Sequence, residues 1–374
     1  MERKNLTQCK RIVVKVGTST LTHPTEQLNL LRMENLAREM SDLHNQGKEL
    51  LLVSSGAIGV GVGRFGLKEP PRTIPMKQAM AAVGQGTLLH MYEKFFAEYG
   101  KTVAQVLLTK DDFTERMRYL NGRNALLTLL SLGVIPIINE NDTVVIDEIK
   151  FGDNDTLSAL VAGLVDADLL IILSDIDGLY DDDPRLNPAA RRLPEVYEIT
   201  GEMEDRSRTR GTRLASGGMY TKLVAARMVM AAGIPLVIAN GSEKNVLRCI
   251  LAGECLGTLF VPRENKMQAR KQWIAFGSAS QGQVYVDEGA EEAIRLRGKS
   301  LLPSGVTRVE GDFERGNVVS LISPAGKEFA RGITNYAAEE IALIAGKKTS
   351  QIERILGSKD YDEIIHRNNL TLYD

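Results

Sequence analysis

The chain has 374 residues, 43% of them hydrophobic and 25% charged, with a formal net charge of −2. That length suits two or three domains of a soluble globular protein, and the near-neutral charge gives no global attraction to nucleic acid or an anionic membrane. No apolar run approaches a membrane span, the polar start MERKNLTQCKR lacks a signal-peptide core, and Cys9, Cys249 and Cys255 form no CxxC and cannot all pair, which fits a reducing cytoplasm.

In chain order, RIVVKVG (11–17) reads as a buried strand. Lys15 lies near its carboxyl end, where Gly17 and the hydroxyls after it let backbone N–H groups approach an anion and the lysine adds a point charge. Residues 28–47 read as an amphipathic helix, and ELLLVSS (49–55) as the next strand. It runs into SSGAIGVGVGRFG (54–66), read as a glycine-rich turn in which Ser55, Gly56 and Ala57 hold the strand end. Gly61, Gly63 and Gly66 formally match GxGxxG. The match starts well past the strand, runs into LKEPPRT and lacks the acidic partner, so a dinucleotide site is rejected.

Residues 76–98 and 114–131 read as helices around a strand at 102–108. VIPII (134–138) then leads into NENDTVVIDEIKFGDNDTLSAL (139–160), which holds two polar clusters. Asp153 to Asp155 sit where a helix cap lies, and capping accounts for Asp153 and Asp155. Asn139 to Asp142 have no such account and point to a site. DLLIIL (168–173) ends at Ser174 and Asp175, a carboxylate placed to orient a lysine or a metal, while Asp181 to Asp183 read as a solvated turn. MEDRSRTRGTRLASG (203–217) reads as a mobile loop, and 218–232 as a helix with Lys222 in its first turns. A cation there is unfavourable by the helix dipole, and a bound phosphate would compensate it. IPLVIA (234–239) is a further strand. Continuous apolar strands alternating with helices predict a parallel sheet covered on both faces, with ligands at the carboxyl ends of its strands.

Residues 263–279 read as a polar linker, 280–360 as a small β-rich unit ending in short helices, and 361–374 as a tail. Two lysines, two glycine turns, an edge aspartate and a carboxylate–amide cluster describe phosphoryl transfer. No Ser-His-Asp set, Cys-His pair or zinc spacing competes, and no residue is assigned to a metal. A carboxylate acceptor, with a pKa of about 4.3, needs no base; the obstacle is repulsion between anions.

VVKVGTS, VSSGAIG, VIPIINEND, FGDNDTLSAL, SDIDGLYDDDP and SGGMYTKLVAA, in this order, resemble the amino-acid kinase superfamily. The pair NEND…GDNDxLSA with a β-rich C-terminal unit is close to the glutamate 5-kinase family, and that unit resembles a PUA domain. The resemblance covers about 8–360, and implies a three-layer α/β/α sandwich with a mainly parallel sheet over 1–262, followed by the small PUA-like domain. It implies that Lys15 and Lys222 stabilise the moving phosphoryl group and Asp175 holds them in place. Ser55, Gly56, Asp142 and Asn154 would bind L-glutamate. Lys15, Gly17, Ser174, Asp175, Ser216, Gly217, Gly218, Met219, Tyr220, Thr221 and Lys222 would hold ATP, with Mg²⁺ between its phosphates. It further implies proline biosynthesis, inhibition by proline, and a homo-oligomer, dimer or tetramer. VSSGA stands where related sequences often show VTSGA; both carry a hydroxyl. The rivals are an aspartate or N-acetylglutamate kinase of the same fold, and an RNA-binding protein using the fold as scaffold. Residues 280–358 carry eleven acidic against ten basic side chains, which argues against RNA binding.

Overall fold

The computed structural model describes residues 3–23, 25, 27–67, 71–144, 153–182, 184, 186–187, 189–209, 218–262, 280–359 and 361–372. The chain divides into two compact units, Met1–Arg263 and Glu264–Asp374. The expected linker at 263–279 lies outside the described residues.

The first unit is built on strands β1 (Arg11–Val16), β2 (Glu49–Ser54), β3 (Val103–Leu108), β4 (Ile135–Glu140), β5 (Leu169–Ser174), β6 (Glu195–Val196), β7 (Leu236–Asn240) and β8 (Thr258–Phe260). Their order is β3-β4-β2-β1-β5-β7-β8-β6. The sheet is parallel from β3 to β7; β8 runs antiparallel to β7, and β6 is parallel to β8. The chain therefore builds outward in one direction from β1 through β2, and in the other from β5. The crevice where strand order reverses is the usual ligand site of such a sheet.

The helices of this unit are α1 (Thr18–Leu21), α2 (Leu30–Asn45), α3 (Ala57–Phe65), α4 (Ile74–Ala97), α5 (Asp111–Thr114), α6 (Arg116–Ser131), α7 (Asn154–Leu164), α8 (Gly201–Thr209), α9 (Met219–Ala231) and α10 (Val246–Leu251). The strand repeat of two sorts them into layers. Ile12, Val14 and Val16 of β1, Leu50 and Leu52 of β2, and Ile171 and Leu173 of β5 share one face. They pack with Leu36, Met40, Tyr92, Phe96 and Leu247, the layer of α2, α4 and α10. Val13, Leu51, Val53, Ile138, Leu170 and Ile172 face the opposite layer with Leu126, Leu157, Val161, Leu223 and Ala226, from α6, α7 and α9. Lys15 continues the Val13 side, so it points toward α7 and α9.

Two segments differ from the sequence reading. The glycine-rich stretch after β2 is a helix, α3, not a turn. A Cβ on Gly61 would lie 2.1 Å from the Met80 carbonyl oxygen, and one on Gly84 1.7 Å from that of Ala57. The glycines let α3 and α4 approach backbone to backbone. The first part of the expected loop, 203–209, belongs to α8 (Gly201–Thr209), where the Thr200 hydroxyl accepts from Met203 N at 3.3 Å and Arg227 pairs with Glu204 at 2.7 Å. Residues 210–217 lie outside the described residues.

The second unit contains β9 (Gln283–Val286), α11 (Glu288–Arg297), β10 (Val306–Glu310), β11 (Val318–Ile322), β12 (Glu328–Ile333), α12 (Ala338–Ile344), α13 (Ile352–Leu356) and β13 (Leu370–Leu372). Its mixed sheet has the order β10-β9-β11-β12-β13. Val284, Leu321, Phe329, Tyr336 and Ile341 centre its core. The stretch read as a tail belongs to this unit: Ile364 and Ile365 are buried, and β13 pairs antiparallel with β12.

Candidate active site

At the carboxyl end of β1, Lys15 is only 5% exposed, and Lys222, in the first turns of α9, 3% exposed. Neither reaches solvent by snorkelling. Both meet one fully buried carboxylate, Asp155 in the first turn of α7. Lys15 Nζ lies 2.6 Å from Asp155 Oδ1, and Lys222 Nζ 3.2 Å from Oδ2. The Thr221 hydroxyl also donates to Oδ2 at 2.8 Å. Burial raises the Asp155 carboxyl, but the two lysine charges outweigh it and hold the group below the ordinary carboxylate value. Burial lowers the Lys222 ammonium; Asp155 opposes that shift and the Lys15 charge adds to it.

This corrects the capping account of Asp155. The cap of α7 is Asp153, whose Oδ1 accepts from Thr156 N at 2.8 Å, and burial raises its carboxyl. It also alters the expected part of Asp175. That residue is exposed at the end of β5, accepts a hydrogen bond from Ser174 Oγ at 3.0 Å, and acts on Lys222 through its charge. The carboxylate between the lysines is Asp155. The helical repeat carries the missed signal: Asp155 shares a face with Ser158, Ala159 and Ala162, all buried.

The amides form a second cluster beside the first. Asn154 Nδ2 donates to Asn139 Oδ1 at 2.8 Å and to the Ser54 carbonyl at 2.6 Å. Asn139 Nδ2 donates to Gln85 Oε1 at 2.7 Å, and Ser54 Oγ lies 2.9 Å from the Tyr92 hydroxyl. The ends of β2 and β4 and the start of α7 are thereby locked together. Gln85, Ser54 and Tyr92 carry no signal in the sequence; they are buried polar groups whose partners lie far along the chain. Ser55 and Gly56 follow β2, Gly56 at φ 95°, where a side chain would be strained. Asp142 lies in the turn after β4.

Gly17 donates its N–H to the Leu173 carbonyl at 3.4 Å, which joins the β1 and β5 ends where Lys15 and Ser174 sit. The N-cap of α9 is Gly218, which offers no side-chain cap, and Met219 and Tyr220 open the helix beside Lys222. Ser216 and Gly217 lie outside the described residues, as do 145–152. Among the described residues no group of three or more His, Cys, Asp or Glu is placed to hold a metal.

A parallel sheet with two buried lysines on one carboxylate at its switch point defines a phosphotransferase site. In agreement, residues 10–240 match the Amino acid kinase family and residues 282–356 the PUA domain. A glutamate 5-kinase of Moorella thermoacetica is 57% identical over 98% of this chain and 97% of its own length. Those of Thermoanaerobacter sp. (strain X514) and Carboxydothermus hydrogenoformans are each 54% identical, over 97% and 100% of this chain and 98% and 100% of their own. The chain belongs to the glutamate 5-kinase family.

Proposed function

We propose that the chain transfers the γ-phosphoryl of ATP to the side-chain carboxylate of L-glutamate, giving L-glutamyl 5-phosphate and ADP, the first step of proline biosynthesis. The observation that carries the chemistry is the pairing of Lys15 and Lys222 on Asp155. The acceptor is already ionised, so the residues need only bring two anions together. Two ammoniums against one carboxylate leave a net positive charge in a buried place, where it acts strongly. Asp155 fixes both lysines, and an ammonium has three donors, so Lys15 keeps donors for phosphoryl oxygens.

In this reading Ser55, Gly56, Asp142 and Asn154 bind glutamate: the Asp142 carboxylate suits the ammonium and the Ser55 hydroxyl suits the oxygens. Asn154, whose two Nδ2 donors are engaged by Asn139 and Ser54, offers its Oδ1 as an acceptor for the ammonium. Gly17, Ser174, Asp175 and Ser216 to Lys222 hold ATP. Mg²⁺ commonly takes one or two carboxylates beside phosphate oxygens and water, and exposed Asp175 fits that donor set. When bound, the ion would neutralise phosphate charge. The reading includes a cytoplasmic homo-oligomer inhibited by proline.

The test is hydroxylamine trapping of the acyl phosphate with L-glutamate, L-aspartate and N-acetyl-L-glutamate in parallel. Hydroxamate should form with glutamate and ATP. Product from aspartate or N-acetylglutamate, with none from glutamate, would reverse the assignment.

A further inference from the structure

A cavity of about 320 Å³ lies on the other face of the sheet from the lysine pair, between α1, α2 and the β7–α10 turn. Its floor is Val16, Leu21, Leu36, Leu173 and Val246, all apolar. Its polar lining includes Arg32, Arg38 and Lys244 against Glu39 and Glu243. Glu39 is engaged within the protein: it accepts from Leu247 N at 2.9 Å. Arg32 reaches the Ser19 and Thr20 carbonyls through one nitrogen, at 3.3 and 3.5 Å, and its remaining donors have no protein partner among the described residues. Lys244 is exposed and makes no ion pair among the described residues.

A second observation points to an occupant. Thr20 also lines the cavity, is 5% exposed, and its hydroxyl has no hydrogen-bond partner among the described residues. A buried hydroxyl left unpaired is costly, and a ligand oxygen would relieve it. Cavities of about 150 Å³ hold benzene, so this one takes a molecule roughly twice as large. We propose that this cavity binds a small organic carboxylate, its apolar body on the Val16–Leu36–Val246 floor and its carboxylate between the cations and the Thr20 hydroxyl. The site is separate from the phosphoryl-transfer centre.

Calorimetric titration of the full chain with benzoate, with isobutyrate and with inorganic phosphate tests this. Both carboxylates should bind, and phosphate, which lacks an apolar body, should bind more weakly. Lys244→Glu should weaken benzoate about tenfold by reversing a lining charge. Thr20→Val should weaken it about fivefold. An ATP analogue should leave the affinity unchanged. No heat with either carboxylate, equal binding of phosphate, undiminished binding in Lys244→Glu, or displacement by the ATP analogue would each overturn the proposal. Lys244 is exposed, so that variant keeps the test open even where Thr20→Val folds poorly.

Discussion

Asp155 concentrates the consequences at the scale of one residue. Replacing it with Asn keeps the shape and removes the charge that two buried lysines share. Breaking a buried ion pair costs about 3–5 kcal/mol, so urea denaturation of Asp155→Asn should show a loss of that order. The released ammoniums lose their placement, and kcat should fall by about 10²-fold. A variant as stable and active as the parent would remove Asp155 from this role. Lys222 gives a pH signature. Its folded pKa is below the ordinary lysine value of 10.5, so above the folded pKa the unfolded chain binds the additional proton. Stability should therefore rise as pH climbs through the folded value toward 10.5, and Lys222→Met should lack that rise in urea midpoints.

At the scale of elements, the contact of α3 with α4 separates two uses of glycine. Gly84→Ala places a methyl 1.7 Å from the Ala57 carbonyl oxygen, backbone that cannot swing aside. The helices must part, at a cost of about 1–3 kcal/mol, and Ser55 and Gly56 shift with them. The expected outcome is a lower Tm and a raised KM for glutamate. Gly86→Ala, two residues along the same helix, meets open space and should stabilise by about 0.5–1 kcal/mol. The strand ends are legible in the sequence because continuous apolar runs stop at polar residues, which puts Lys15, Ser174 and the NEND segment at one edge. The helix α3 is not legible, because its glycines read as a turn until the backbone of α4 supplies a reason for them. Asp155 is hidden by its neighbour: Asp153 and Asp155 look alike in sequence, and only burial distinguishes a cap from a shared counter-ion.

At the scale of the molecule, the described residues of the candidate site all lie in the first unit, which has its own two-sided core on one sheet. The second unit has a separate core around Phe329 and Tyr336. A chain ending at residue 262 therefore keeps β1 to β8, both lysines, Asp155 and the asparagine cluster. It should fold cooperatively and still form glutamyl hydroxamate, with kcat within about tenfold of the full chain, because the lysine pair and its partners all belong to the retained unit. We propose that the second unit serves regulation or structure rather than RNA binding, a reading supported by the near balance of acidic and basic side chains over 280–358. Steady-state assays of the shortened and full chains, with and without proline, decide the matter. Loss of turnover in a shortened chain whose circular dichroism and melting remain cooperative would mean that the second unit takes part in the reaction itself.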